Sequence, residues 1–170
     1  MTTPTAASSS VTGAPTRRAH ARSILLAGVG AFVGLAFVGL LAQETSEPWI
    51  LGSFGATCVL LFGFPSSPFS QSRNIIGGHV LTSLTGLLCL QLFGPGYIPM
   101  AVAAASALML MMLTRTVHPP AGSNPVIIFA AQPAWSFLAL PTMFGAVALV
   151  AIGWLYWAIV KRGTWPHRAK

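Results

Sequence analysis

The sequence predicts an all-α integral membrane protein with four long spans and two short helices interrupted by glycine or proline. Three observations lead there. Of the 170 residues, 54% are hydrophobic and only 6% are charged, with a mean hydropathy of +0.74; a soluble domain carries about a quarter charged residues. The apolar residues gather in continuous runs, several of them near the roughly 20 residues a helix needs to cross a bilayer. The bases stand outside those runs. Arg17, Arg18 and Arg22 precede the first, Lys161, Arg162, Arg168 and Lys170 follow the last, and only Arg73 and Arg115 lie between. Bases that flank spans follow the positive-inside rule, which accounts for the net charge of +7 without a nucleic-acid partner.

The first 22 residues, rich in Ser, Thr, Ala and Pro and free of acids, read as a disordered basic tail. The apolar run over 24–41 is long for a signal-peptide core and has no clear A-x-A cleavage site, so it is a retained first span. Runs over 75–93, 98–113 and 135–160 supply the other long spans. The runs over 49–64 and 121–132 are short, and each opens with polar, glycine-containing sequence, LGSFGAT and HPPAGSN. The chain thus divides into a tail over 1–22, a transmembrane domain over 23–160 and a basic tail over 161–170.

Charge sets the topology. With the N-terminal arginines inside, the first span leads out to a loop holding Glu44 and Glu47, the only acids of the chain. The following segments return Arg73, then Arg115, then the C-terminal bases to the inside, so both termini are cytoplasmic. A re-entrant path for the two short segments leaves the same ends inside. A shift of 67 positions (122 less 55) aligns Gly55 with Gly122, Val59 with Val126, Phe62 with Phe129 and Gly78 with Gly145. Each half then runs long, short, long. Three elements per half imply halves of opposite orientation, the inverted-repeat plan whose binding sites lie where broken helices meet near the midplane.

The breaks carry the chemistry. His118 and Pro119 each precede a proline, which favours extended geometry, so the fourth span ends near Arg115. A new helix starts near Pro120 or at Pro125, with Ser123 or Asn124 as its cap and Gly122 allowing close backbone approach or positive φ. GSFGATCVLLF matches this, with a helix opening near Gly55. A helix N-terminus at membrane depth presents unpaired N–H groups and favours an anion. Competing structural explanations are a rigid Pro-Pro turn at the membrane surface and, for GSFG and Gly30/Gly34, close helix packing. His79 and His118 are the histidines away from the tails, and each can donate to an anion or carry a proton.

Other chemistries fit less well. His79, His118, Cys58, Cys89, Met109, Met111 and Met112 are conceivable soft ligands, but no CxxC or HxxxH spacing supports a metal, and no cofactor is implied. Both acids sit in one external loop, so no buried acid–base pair exists, and a Ser123–His118 pair has no acid to orient the histidine. An interior without acids also disfavours a cation pathway.

GSFGATCVLLFGFPSSPFSQSRNIIGGH, LTRTVHPPAGSNP and, more loosely, WSFLALPTMFGAVALVAIGWLYW resemble the HPP family of small integral membrane proteins, named for its His-Pro-Pro motif. The resemblance runs from about residue 50 to 165. It implies a fold usually described with four spans and, because members in cyanobacteria and chloroplasts are associated with nitrite transport, a small-anion permease. By matching motif it carries over Gly52, Ser53, Gly55, Ala56 and Thr57, then Arg73, Asn74, Gly77, Gly78 and His79, then His118, Pro119, Pro120, Ala121 and Gly122. Many members continue Ala-Thr-Ala, where this chain has Ser123-Asn124-Pro125.

The resulting expectation is a permease or channel for a small inorganic anion, nitrite first, in a bacterial inner membrane. Gly52, Ser53, Gly55, Thr57, His79, His118, Pro119, Pro120, Gly122, Ser123 and Asn124 line its path; Arg73, Asn74 and Arg115 stand at the cytoplasmic mouth. The lipid bilayer and the anion are its partners, and self-association stays open. A non-conducting structural or regulatory membrane protein, or a transporter of a neutral acid or metal ion, are the alternatives.

Overall fold

The structure, a computed structural model, describes residues 17–45, 52–161 and 165. Six α-helices follow one another: α1 Arg17–Thr45, α2 Gly52–Cys58, α3 Ser72–Phe93, α4 Tyr97–Leu113, α5 Asn124–Ala131 and α6 Phe144–Lys161. A π-helical turn over Val59–Gly63 continues α2, a 3₁₀ turn over Pro119–Ser123 leads into α5, and a second π-helical segment over Leu138–Met143 leads into α6. No strand occurs among the described residues. Each helical stretch coincides with one of the six apolar runs, because at membrane depth a chain satisfies its backbone most simply within its own helix.

Three helical stretches are long and apolar enough to cross a membrane: Arg17–Gln43, Ser72–Phe93 and Leu138–Val160. α4, expected as a fourth long span, has 17 residues and stands with Gly52–Gly63 among the shorter apolar helices. The described positions of the expected N-terminal tail, 17–22, are helical and belong to α1. No proline follows Pro15 there to stop the helix, so it runs back through the arginines. The expected loop position of Glu47 and the bases Arg162, Arg168 and Lys170 lie outside the described residues. Large apolar side chains of α1, α4 and α6, among them Phe32, Met109, Met112, Trp154 and Ile159, are exposed, as a lipid-facing surface requires.

α3 is the central helix. It packs against α4, α5, the 3₁₀ turn and the second π segment, while α1 lies against the first π turn and α6. Glycines let these neighbours in. A Cβ at Gly78 would lie 2.8 Å from His118 Cβ and 3.1 Å from the Thr116 carbonyl, with Ala121 Cβ at 3.5 Å. At Gly86 it would lie 2.9 Å from Ile128 and 3.0 Å from the Pro125 backbone. The same contacts recur with the halves exchanged, each residue displaced by 67 positions: Gly145 receives Phe54 as Gly78 receives Ala121, and Gly153 receives Leu61 as Gly86 receives Ile128. Two of these glycines, Gly86 and Gly153, extend the sequence match.

Breaks in the helices are sealed by named groups. α4 ends at Thr114, and Arg115 takes a left-handed conformation (φ 56°). The Thr116 N–H then donates to Met111 O at 2.9 Å and the Arg115 N–H to Met112 O at 3.2 Å, a Schellman closure with arginine where glycine is usual. The Arg73 guanidinium donates to Thr114 O at 2.5 Å and Asn74 Nδ2 to Val117 O at 2.8 Å, tying the start of α3 across this turn. At the first π turn, Ser70 Oγ donates to Leu60 O and Phe64 O, and Trp157 Nε1 donates to Leu61 O.

These contacts set a stability test. Gly78→Ala should lower stability by roughly 1–3 kcal/mol, because neither His118 Cβ nor a backbone carbonyl can withdraw. Gly39→Ala, where a Cβ meets nothing within 4 Å, should leave it unchanged or slightly raised. Thermal unfolding of the two variants in detergent measures the difference. Equal midpoints would mean that the α3 seam is loose.

Candidate functional site

Five side chains from four segments converge inside the bundle. Ser53 and Thr57 come from α2, His79 from α3, His118 from the residue before the 3₁₀ turn, and Asn124 from the first position of α5; each is at most 1% exposed. Helical spacing puts Ser53 and Thr57 on one face of α2, four residues apart. The extended backbone of His118 (φ −134°, ψ 97°), imposed by Pro119, swings its ring back towards α3 over Gly78. His79 lies seven residues into α3, about 10 Å along its axis at the usual helical rise.

Thr57 Oγ1 is the junction. It lies 3.0 Å from His79 Nε2, 2.8 Å from His118 Nε2 and 2.8 Å from Ser53 O. His118 Nδ1 is 2.8 Å from the Phe69 carbonyl, which can only accept, so the neutral ring carries its proton there and Nε2 accepts. Asn124 Nδ2 donates one proton to Ser83 Oγ at 2.9 Å and shares the other between His79 Nδ1 at 3.1 Å and His79 O at 3.3 Å. Ser83 Oγ in turn shares a hydrogen bond of 3.1 Å with Thr142 Oγ1. The imidazole centroids are 5.2 Å apart, and Phe54 closes on His79 edge-on at 5.0 Å. Two buried polar atoms have no partner among the described residues: Ser53 Oγ and Asn124 Oδ1. Buried polar groups are normally paired, so these two stand out.

The candidate residues separate into four sets. Ser53, Thr57, His79, His118 and Asn124 form the interior cluster. Gly52, Pro119, Pro120 and Ser123 instead line an open groove of about 700 Å³ between α2 and the 3₁₀ turn, with Ala56 and Ile127. Arg73 and Asn74 are occupied as ties to the turn after α4, and Arg115 is exposed beside it. Gly55 and Gly122 face open space: a Cβ on either meets nothing within 4 Å.

Four local expectations are corrected. Gly122 has neither a left-handed φ nor a close neighbour. The described part of α2 opens at Gly52, so Gly55 sits one turn inside it. Neither Ser123 nor Asn124 caps α5: Ser123 Oγ donates to Pro120 O, and the Asn124 side chain crosses to α3. The 3₁₀ turn runs straight into α5, so the N–H groups of Ala121 and Asn124 are already bonded to His118 O and Ala121 O, and the two prolines have none. The array of free donors expected there is therefore depleted, and donors in this region come from side chains. Ser123 does not meet His118, whose Nε2 belongs to Thr57. Cys58 and Cys89 are buried free thiols in separate clusters, and no group of three or more His, Cys, Asp or Glu is gathered among the described residues.

Sequence reasoning missed Ser83, Thr142 and the Phe69 carbonyl. Hydroxyl residues in apolar helices often bond to their own backbone, as Thr85 does to Leu81 O, so their presence alone signals nothing.

An all-helical bundle with exposed apolar flanks and a sealed polar centre defines an integral membrane protein. The family model described as HPP, transmembrane region, matches residues 16–166, and the chain belongs to that family. Two relatives in Dictyostelium discoideum, both named only as transmembrane proteins, are 27% identical over 150 residues and 28% identical over 145 residues. These matches cover 81% and 78% of this chain but 53% and 47% of the relatives, so the chain spans about half their length. No solved structure matches it.

Removing the central amide tests the cluster. Asn124→Ala should cost roughly 1–3 kcal/mol, because it strips a donor from His79 and Ser83 in a buried site. Ser123→Ala, exposed and bonded only within its turn, should cost no more than about 0.5 kcal/mol. Detergent melting midpoints decide it; equal losses would mean that the amide is not held as described.

Proposed function

We propose that the protein is a permease for a small inorganic anion, nitrite first, in a bacterial inner membrane with both termini cytoplasmic. One observation carries this: a sealed cluster of neutral donors, Thr57, His79, His118 and Asn124, lies where the two interrupted helices meet, in an interior without acids. From Gly52 to the C-terminus the chain has no Asp or Glu. Such an interior repels no anion and offers no fixed counter-charge to a cation. The groove beside Pro119, Pro120 and Ser123 lies on the outer face of the same segments that supply the cluster, and Arg73 and Arg115 raise the anion concentration at the cytoplasmic mouth.

The architecture proposed is a 3+3 inverted repeat in a transmembrane domain over 23–160: four long spans plus two short segments that also cross, because only three crossings per half invert the second half. The exchanged glycine contacts, Gly78–Ala121 with Gly145–Phe54 and Gly86–Ile128 with Gly153–Leu61, support it. Thr57 and Asn124 are also 67 positions apart, and both reach His79. Transporters with this plan alternate access by rocking one repeat against the other around a fixed central site.

Uptake by proteoliposomes of nitrite, nitrate, formate, chloride and bicarbonate tests the function. Nitrite should enter fastest. Gly122→Val should insert without a clash, since its Cβ has open space, yet add β-branched bulk next to the groove-lining Ser123 and reduce nitrite flux about tenfold or more. His118→Ala should weaken flux or alter its pH dependence. Wild-type rates in both variants would reduce the motif to a structural turn.

Orientation has its own test. In a background with Cys58 and Cys89 replaced, cysteines placed at Ser46 and Thr164 should label from opposite sides of the membrane. Labelling of both from one side would defeat the proposed topology.

A further inference from the structure

The protons of the buried cluster can be assigned one by one. Asn124 Nδ2 is also in reach of the His79 carbonyl, an obligate acceptor, so its amide nitrogen points at the His79 ring and His79 Nδ1 accepts. Neutral His79 therefore carries its proton on Nε2 and donates to Thr57 Oγ1. The Thr57 hydroxyl has one proton and two acceptors, Ser53 O and His118 Nε2, both at 2.8 Å. Turned towards His118, it completes a line of donors that all point one way: His79 to Thr57, Thr57 to His118, and His118 to the Phe69 carbonyl. Turned towards Ser53, it opens that line.

We infer that this line is a one-proton relay, and that the anion crosses together with a proton carried by His79 and His118. The inference rests on the anion-permease reading and adds the second transported species. The step balances without any redox change. A proton that arrives on His79 Nδ1 makes the ring cationic. His79 Nε2–H passes to Thr57 Oγ1 as the Thr57 hydroxyl proton passes to His118 Nε2. His79 is left neutral with its proton on Nδ1, and His118 becomes the cation. A proton on His79 Nδ1 faces the Asn124 amide nitrogen, so the amide must turn and offer Oδ1, releasing His79 O and Ser83 Oγ, which keep Thr82 Oγ1 and Thr142 Oγ1 as partners. That oxygen has no partner in the present state. The vacancy of Oδ1 is thus what the protonated state requires. His79 is gripped by equivalent positions of the two halves, Thr57 on Nε2 and Asn124 on Nδ1, so its protonation changes the bond to each half together.

Among the described residues, no fixed charge near the cluster balances the cation. α2 brings Thr57, Phe54 and the Cys58 thiol; the 3₁₀ turn and α5 bring His118 and Asn124; the 68–70 turn brings a carbonyl. α3 carries Arg73 only at its exposed end, and α4 and α6 carry Tyr97, Tyr156 and, at the terminus, Lys161. Tyr156 is engaged with Leu26 O. Burying an unpaired charge is costly, so the histidine cation persists only beside a mobile anion, and the two cross as a neutral pair.

Proteoliposomes holding a lumenal pH dye and challenged with sodium nitrite test the coupling, with protein-free vesicles as the reference. Above that background, one proton should enter per nitrite, and clamping the membrane potential should change the rate little. Thr57→Val, which keeps the shape and removes the hydroxyl, should cut coupled flux at least about tenfold, the scale of a hydrogen bond to a charged group. Thr57→Ser should restore most of it. Nitrite entry without lumenal acidification overturns the relay and leaves the permease reading intact, as does full coupled flux in Thr57→Val. No anion flux at all sinks both. Nitrogen-15 NMR of labelled histidine reads the relay without transport: His79 should be protonated on Nε2 and His118 on Nδ1. The same tautomer at both also overturns it.

Discussion

The interior is organised by the cost of placing hydrogen-bonding groups where no water reaches them. The Thr57 hydroxyl, with a histidine nitrogen on two sides and a backbone carbonyl on a third, is where that cost is met. Through it α2, α3 and the residue before the 3₁₀ turn are joined, and through His79 the join extends to Asn124, Ser83 and Thr142. A polar chain of this length is stabilising only when nearly every member is satisfied. The apolar packing around it, with Phe54, Ile75, Leu87 and Ile128 buried, keeps water from competing.

Close approach makes the join possible. His118 can lie against α3 only because Gly78 has no side chain, and α5 can follow only because Gly86 has none. The glycines of the two signature motifs behave differently. Gly52, Gly55 and Gly122 meet nothing within 4 Å and border the groove or open space, so no contact within this chain demands their small size. Glycine therefore does two separate jobs: on α3 and α6 it admits a neighbouring helix, and at the motifs it leaves room.

The side chains that the motifs supply divide in the same way. One face of GSFGAT turns Ser53 and Thr57 inwards while Gly52 and Ala56 border the groove; in HPPAGSN, His118 and Asn124 turn inwards while Pro119 and Ser123 face out. A thin layer of backbone separates the sealed cluster from the open groove.

The sequence by itself determined the membrane class, the six helical stretches, the two breaks and the five inward residues Ser53, Thr57, His79, His118 and Asn124 as candidates. These follow from local physics: hydropathy, the geometry of residues before proline, and the rarity of ionisable groups in apolar runs. It did not determine what those residues do to one another. That His79 and His118 share one hydroxyl, that Asn124 crosses to α3 instead of capping α5, and that Ser83 and Thr142 join the chain depend on how segments up to 61 positions apart are packed. The start of α1 was misread, whereas α4 at Tyr97–Leu113 coincides with the apolar run over 98–113, its end closed by Arg73 from across the bundle. Hydrogen-bond direction is a property of three-dimensional arrangement, and only the tertiary structure could give the cluster its order.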